Sequence, residues 1–208
     1  MKKVLAIDTT SRACSVALSL GRTVIHRYQL ASREHTRLLL PMIDDVLAET
    51  GVSLNELDAL AFTLGPGSFT GIRIGFSAIQ GLALGAELPV LPVSSLETLA
   101  HTALRTFSIK ESCQFLTMID ARMDEVYWSA FEWNGIGLTR LMPDTLSPPE
   151  RVTLPTSELP LAVIGDGWNY AERIDLHPVI IDSALLPDAR DVLTVAMPKI
   201  DHGAVMAI

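Results

Sequence analysis

The sequence has few of the residues that carry metal or redox chemistry, and too few basic residues for a typical nucleic-acid-binding protein. Its two cysteines, Cys14 and Cys113, lie far apart and match no metal, redox or disulfide spacing, so we expect reduced, partly buried thiols. Acidic residues outnumber basic ones by 24 to 16, and the net charge of −8 argues against autonomous binding of nucleic acid. No run reaches the ~18 apolar residues that span a bilayer, so no membrane segment is expected.

The residues that are present indicate a well-packed globular protein. Hydrophobic residues occupy 49% of the 208 positions, which excludes disorder and supports a sizeable core. The apolar start Val4–Ile7 resembles the beginning of a signal peptide, but Asp8 interrupts it and no small-residue cleavage site follows. We therefore expect a cytoplasmic protein.

Three strands and a helix are predicted at the start of the chain. The apolar run Val4–Asp8 and the alternating segments Cys14–Leu20 and Thr23–Gln29 predict an antiparallel meander. Apolar residues at helical spacing between Glu34 and Glu49 then predict a helix, which either kinks or starts near Pro41.

Helices and strands alternate after this meander. A strand is predicted over Leu57–Leu64, a helix over Phe69–Leu84 that Gly85 ends, and a strand over Pro89–Val93. A further helix runs from Ser95 to about Arg105. The order βββαβαβα indicates a mixed α/β sheet.

The second half repeats the beginning of the first. Leu5–Thr10 can be laid on Thr117–Arg122 at an offset of 112 residues, which places Asp8 on Asp120. Duplicated lobes of this kind resemble the actin–hexokinase–Hsp70 (ASKHA) type of α/β fold, with two ribonuclease-H-like halves around a cleft. The predicted lobes are residues 1–108 and a smaller lobe of residues 109–208.

Asp8 and Asp120 form a candidate carboxylate pair. In a fold of this type they would hold a metal near transferred phosphates, and the alternative is that each carboxylate caps the turn after its strand. The loop Gly65–Gly71 lies between a strand and a helix, where free N–H groups could meet a phosphate. It matches neither a P-loop nor G-x-G-x-x-G, and a tight strand-to-helix turn explains its glycines equally well.

Small residues recur along the helix after this loop, at Gly71, Gly75, Ala78, Gly81 and Gly85. Glycine lowers helix stability by up to about 1 kcal/mol relative to alanine, so close approach of another element is expected. That element is either the protein's own sheet or a helix of another chain. A bulky apolar counterpart surface is offered by Leu38, Leu39, Met42 and Ile43.

Catalytic motifs are missing from the sequence. The five histidines form no i, i+4 pair and no metal motif, and no serine lies in a G-x-S-x-G context. A locally basic group, which is either a solvated face or a docking strip, consists of Arg22, His26, Arg27, Arg33 and Arg37.

Four segments together resemble the bacterial TsaB (YeaZ) family: Leu5–Thr10, Arg33–Thr36, Gly65–Gly75 and Ile119–Tyr127. The resemblance covers the first 130 residues well and the remainder loosely. It implies a subunit of the complex that forms N6-threonylcarbamoyladenosine at position 37 of tRNAs reading codons that begin with A. The implied partners are the catalytic paralogue TsaD and the ATPase TsaE, with a homodimer when the chain is alone and contact with tRNA only indirectly.

The resemblance also implies a subunit without catalysis, cofactor or metal. TsaD carries His-x-x-x-His where this sequence has Ser95–Leu99, so both ligand positions lack an imidazole. Family members usually continue with a Tyr-Leu-Arg tail, whereas this sequence reads Ala204–Ile208, and a final element is expected to be missing. The alternative interpretation is an actin-fold nucleotide-binding phosphotransferase or ATPase that uses Asp8, the Gly65–Gly71 loop and Asp120.

Two sets of site residues follow from these interpretations. The expected partner interface comprises Leu38, Leu39, Met42, Ile43, Gly71, Ile72, Gly75, Ala78 and Leu82. The candidate vestigial phosphate loops comprise Asp8, Thr9, Gly65, Gly67, Ser68 and Asp120.

Overall fold

A computed structural model describes residues 2–31, 33–203 and 206. The chain forms two compact units, the first made of residues 1–98 and 187–208 and the second of residues 99–186. None of the described helices is long and apolar enough to cross a membrane.

The first unit is built on a five-stranded sheet. Its elements are β1 (Lys3–Asp8), β2 (Ala13–Leu20), β3 (Thr23–Leu30), α1 (His35–Thr50), β4 (Ala59–Gly65), α2 (Phe69–Ala86), β5 (Val90–Ser94) and the start of α3 (Ser95–Phe107). The strands lie in the order β3-β2-β1-β4-β5, with β1 antiparallel to β2 and parallel to β4. The predicted βββαβαβα order is confirmed.

The second unit repeats this topology. Its strands are β6 (Cys113–Arg122), β7 (Glu125–Trp133), β8 (Leu138–Ser147), β9 (Leu161–Ile164) and β10 (Ile180–Asp182), in the order β10-β9-β6-β7-β8. The strand β6 is antiparallel to β7 and parallel to β9, as β1 is to β2 and β4. The actin-like duplication inferred from the sequence is therefore confirmed in the strand order of both sheets.

The compact units differ from the predicted lobes 1–108 and 109–208 in two places: the boundary after the first unit lies at residue 98, and residues 187–208 belong to the first unit. The last helix, α4 (Ala189–Asp201), buries Val192, Val195 and Ala196 against Val4 and Ala61 of the first sheet. Apolar contact with β1 and β4 therefore returns the end of the chain to the first unit. The second half of α3, from Leu99 onward, instead packs in the core of the second unit.

The limits of two helices differ from those expected. The helix α1 begins at His35 and runs through Pro41, so the alternative that it starts near the proline is wrong, and its buried residues Leu39, Ile43 and Val46 pack on the sheet on both sides of the proline. The helix α2 does not end at Gly85 but continues to Ala86. Glu87 follows in a left-handed conformation, and its N–H donates to the carbonyl oxygen of Ala83.

The apolar end of the chain lies largely outside the described residues, which exclude 204, 205, 207 and 208. The expectation that a final element is missing concerns these residues, which the structure does not describe. Met206 is described, and it exchanges two backbone hydrogen bonds of 2.9 Å with Val90 of the edge strand β5.

Candidate functional site

The buried carboxyl of Asp8 lies at the end of β1 in the first unit. Its Oδ1 accepts hydrogen bonds from the hydroxyls of Thr10, at 2.7 Å, and of Thr63, while its Oδ2 has no hydrogen-bond partner among the described residues. Burial raises the pKa of Asp8 to about 6, although the hydrogen bonds from Thr63 and Thr10 act in the opposite direction. Asp8 is fully buried.

The glycine loop packs tightly on the turn that follows Asp8. The N–H of Ser68 donates to the carbonyl oxygen of Thr10 at 2.7 Å, and the hydroxyl of Thr9 donates to the carbonyl oxygen of Gly71 at 2.8 Å. A β-carbon at Gly67 would overlap the Thr10 carbonyl oxygen, so glycine is required there. The two candidate phosphate loops of this unit thus bond to each other.

Contacts with the same turn also involve Gly71 and Gly75, which the sequence predicted to lie in the partner interface. A β-carbon at Gly71 would overlap the carbonyl oxygen of Thr9, and one at Gly75 would overlap the Thr9 hydroxyl. These glycines therefore allow α2 to pack on the protein's own chain. A β-carbon at Gly81 or Gly85 would meet no other atom within 4 Å.

The bulky residues of the predicted interface also face inward. Leu39, Met42 and Ile43 are buried in the core of the first unit, and Leu38 and Leu82 pack against that core. Helical periodicity places these residues on one face, and that face covers the sheet. Ile72 is partly buried. Ala78 is half-buried and lies at the boundary between the core and the outer surface of α2.

A groove of about 500 Å³ separates α1 and α2 on the outer side of the first unit. It is lined by Thr36, Leu39, Leu40, Phe69, Thr70, Arg73, Ile74, Ser77 and Ala78. Two of its apolar side chains are conspicuously open to solvent: Leu40 is 52% exposed and Phe69 is 72% exposed. The guanidinium of Arg73 lies 5.4 Å from the centroid of the Phe69 ring, which holds both side chains at the rim.

The predicted interface included only Leu39 and Ala78 of the groove and missed its seven other residues, namely Thr36, Leu40, Phe69, Thr70, Arg73, Ile74 and Ser77. Their helical spacing contained the signal. Thr70, Ile74 and Ser77 follow each other at i, i+4 and i+7, and Thr36 and Leu40 at i, i+4, so each set forms one stripe. The prediction instead followed the glycines of α2, of which Gly71 and Gly75 are buried.

Asp120 occupies the corresponding strand end in the second unit. Its Oδ1 accepts from the N–H of Arg122 at 2.8 Å, and its Oδ2 pairs with the Arg122 guanidinium at 3.1 Å. The hydroxyl of Tyr170 also donates to Oδ1, at 3.3 Å. These are the bonds of a carboxylate that caps the turn after its strand, which is the alternative that the sequence left open.

No metal-binding cluster of three or more His, Cys, Asp or Glu side chains occurs within residues 2–31, 33–203 and 206. At the position of the TsaD histidines, the hydroxyl of Ser95 donates to Thr10 Oγ1 at 3.1 Å, and Leu99 is buried in the core of the second unit. Neither side chain is a metal ligand of the usual kind.

Comparisons with known proteins relate the chain to tRNA modification. A family model described as TsaD, tRNA N6-adenosine threonylcarbamoyltransferase, matches residues 24–176. A protein of Escherichia coli (strain K12) named tRNA threonylcarbamoyladenosine biosynthesis protein TsaB is 40% identical over 99% of this chain and 90% of its own length. A relative of the same name from Buchnera aphidicola subsp. Schizaphis graminum is 32% identical over 91% of this chain and 90% of its own length. The solved structure of YeaZ from Pseudomonas aeruginosa superposes with a TM-score of 0.94 at 40% identity, covering 100% of this chain and 96% of that one.

Proposed function

Because the chain belongs to the TsaB family of tRNA threonylcarbamoyladenosine biosynthesis proteins, we propose that it acts as the non-catalytic subunit that binds and activates TsaD. Its role lies in the biosynthesis of threonylcarbamoyladenosine in tRNA. The modified nucleoside is at position 37 of tRNAs that read codons beginning with A. The ATPase TsaE joins the pair as a third subunit.

The α1–α2 groove is the observation that carries this proposal. Large apolar side chains such as Phe69 and Leu40 are unfavourable in water, and burying each on a partner would contribute about 1.5–3 kcal/mol. Arg73 adds a charged group at the rim, and arginine is enriched at protein interfaces. A related chain with the same fold is a suitable counterpart, so the groove would pair two copies when TsaD is absent.

The chemistry of Asp8 supports a role without catalysis. A carboxyl with a pKa of about 6 could serve as an acid or base near neutral pH, but it must also lie within hydrogen-bond reach of a substrate. Asp8 is enclosed by Thr10 and Thr63, and the neighbouring glycine loop is bonded to the same turn. No observation in the described residues favours the alternative of a phosphotransferase or ATPase.

The proposal is tested by capture of the chain on immobilised TsaD. We expect Phe69→Glu and Leu40→Glu to lower capture at least tenfold, because each places a carboxylate in an apolar contact. Ala78→Trp fills the groove and should act in the same direction. Gly75→Leu is unsuitable as a test, because the added side chain would overlap Thr9 and disturb the fold.

The matched control is Ile136→Glu, which makes the same change at a residue of the second unit that is 91% exposed. It should leave capture unchanged. A reconstituted reaction with TsaD, TsaE and tRNA should lose modified nucleoside in proportion to lost capture. Unchanged capture of the groove variants would refute the interface, and nucleoside formation without TsaD would refute the non-catalytic role.

A further inference from the structure

One part of this acidic chain has no acidic residue at all. The 25 residues from Thr9 to Arg33 include four arginines and a histidine, and all 24 acidic residues lie outside them. This segment contains the β2–β3 hairpin, which forms one side of the sheet of the first unit. Positive charge is therefore concentrated in one supersecondary element of a protein whose net charge is −8.

The strand β3 lies at the edge of that sheet, because β2 is its one neighbour in the strand order. Alternation along the strand places Val24, Tyr28 and Leu30 on one face. All three are exposed, Tyr28 at 42% and Leu30 at 62%. An edge strand normally carries charged or shielded residues, so an open aromatic ring beside open aliphatic groups indicates a contact surface.

The basic residues of this segment divide into two groups. His26 Nε2 lies 3.0 Å from Asp188 Oδ1, and Arg27 forms an ion pair with Glu49, both within the first unit. Arg12, Arg22 and Arg33 are exposed and make no ion pair in the part of the chain that the structure describes. These three arginines are the ones free to bind an anion.

The free arginines flank the exposed face of β3. The N–H of Ala31 donates to the carbonyl oxygen of Arg12 at 2.8 Å, which brings the turn after β1 to the end of β3, two residues before Arg33. Burial raises the pKa of Tyr28, the Asp188 and Asp8 charges raise it further, and the Arg12 and Arg190 charges act in the opposite direction. Arg22 lies at the other end of the strand, about 26 Å away for eight residues.

We propose that this surface, the β3 strip (Arg12, Arg22, Tyr28, Leu30 and Arg33), binds the phosphate backbone of the tRNA while TsaD holds the modified loop. Guanidinium groups bind phosphate oxygens bidentately, and an exposed tyrosine ring stacks on unpaired bases. Three free arginines are too few to hold RNA against a net charge of −8. The contact therefore operates only in the complex, and the inference rests on the proposed function.

The test measures tRNA affinity of the complex of this chain with TsaD across a series of salt concentrations. The complex that contains the Arg12→Glu/Arg33→Glu variant should bind tRNA at least tenfold more weakly. The slope of log affinity against log salt concentration should become shallower by about 1–2, as expected for two lost phosphate contacts. Tyr28→Leu should weaken binding several-fold with no change in slope, because stacking is not a charge interaction.

The charge-matched control is Lys110→Glu/Arg151→Glu, two exposed residues outside the strip. It should leave tRNA affinity and slope unchanged. Equal tRNA binding by wild type and strip variant in an intact complex would overturn the inference and leave the proposed function standing. If the strip variant lost binding of TsaE while its tRNA affinity was unchanged, the inference would also be overturned, since the strip would then be a protein-binding surface.

Failure of the wild-type chain to pair with TsaD would refute the proposed function instead. The inference would fall with it, because the proposed contact operates only in the complex.

Discussion

Asp8 shows how one residue type at a strand end can have a structural role that its position in the sequence does not reveal. The first strand of an actin-like lobe ends in a carboxylate, and the sequence suggested phosphate or metal chemistry there. In the structure the carboxyl is enclosed by the hydroxyls of Thr10 and Thr63, and Oδ2 is unbonded within the described residues. A buried charge without a partner is costly, so the neutral form is favoured.

We predict that Asp8→Asn stabilises the protein above pH 6. The folded-state pKa of Asp8 is raised from its ordinary 3.8 to about 6, so its contribution to stability is fully present below about pH 4 and is lost as the pH rises through 6. Two pKa units correspond to about 3 kcal/mol at most. Urea unfolding of both proteins between pH 4 and 8 should show a gain that grows with pH.

The control for this prediction is Asp44→Asn, which neutralises an exposed carboxyl on α1. It should leave the pH dependence of the unfolding free energy unchanged. A variant at Asp8 that is destabilised equally at pH 4 and pH 8 would contradict the raised pKa, because a lost hydrogen bond would then dominate.

The helix α2 shows at the scale of an element why composition alone does not identify an interface. Its glycines lie in two kinds of surroundings: Gly71 and Gly75 pack on the turn after β1, whereas a β-carbon at Gly81 or Gly85 would meet open space. The sequence located the helix correctly, because its start at Ser68 and its periodicity are local. It did not reveal which stripe is buried, since that depends on Thr9, more than sixty residues away in the chain.

Opposite effects are expected from the same substitution in these two kinds of surroundings. Gly71→Ala should destabilise the protein by about 1–3 kcal/mol, because the new methyl group would overlap the Thr9 carbonyl oxygen. Gly81→Ala should stabilise it by up to about 1 kcal/mol through helix propensity. Thermal melts of both variants provide the comparison, and each is the control for the other. Similar shifts of the same sign would contradict the packing of α2 on Thr9.

The groove residues illustrate what was predictable at this scale. Interpretation of the sequence assigned partner binding to α1 and α2 and chose mainly residues of the stripes that cover the core. The outer stripes contain Leu40 and Ile74, ordinary apolar residues that a sequence pattern does not separate from core residues. Exposure becomes visible only when the sheet that each helix covers is known.

At the scale of the whole molecule, the first unit is completed by residues from the end of the chain. The helix α4 buries Val192, Val195 and Ala196 against β1, β4 and β5. The first residue of α4 is also hydrogen-bonded to the sheet, because the N–H of Ala189 donates to Ser15 Oγ at 2.9 Å. The N-cap Asp188 pairs with His26 and Arg190. One face of the first sheet thus depends on a segment about a hundred residues beyond that sheet.

We therefore predict that residues 1–108 do not fold alone. Without α4, the apolar face formed by Val4, Ala6, Ala61 and Val93 would be open to water, and the fragment should aggregate or lack cooperative unfolding. The same fragment joined to residues 187–208 by a long flexible linker should recover a cooperative transition. Circular dichroism melts and size-exclusion chromatography distinguish the two. A cooperative melt of residues 1–108 alone would refute the assignment of α4 to this unit.

The sequence by itself determined the order and type of the elements, the duplication of the βββ unit and the family. All of these rest on patterns within short segments, such as the alternation in β2, the helical period in α1 and the Gly65–Gly71 motif. The tertiary structure alone decided which face of α2 is free, which helix covers the first sheet and which arginines between residues 9 and 33 have no ion pair among the described residues. Each of these depends on contacts between residues distant in the chain, such as Thr9 with Gly71 and His26 with Asp188, and such contacts leave no periodic trace in the sequence.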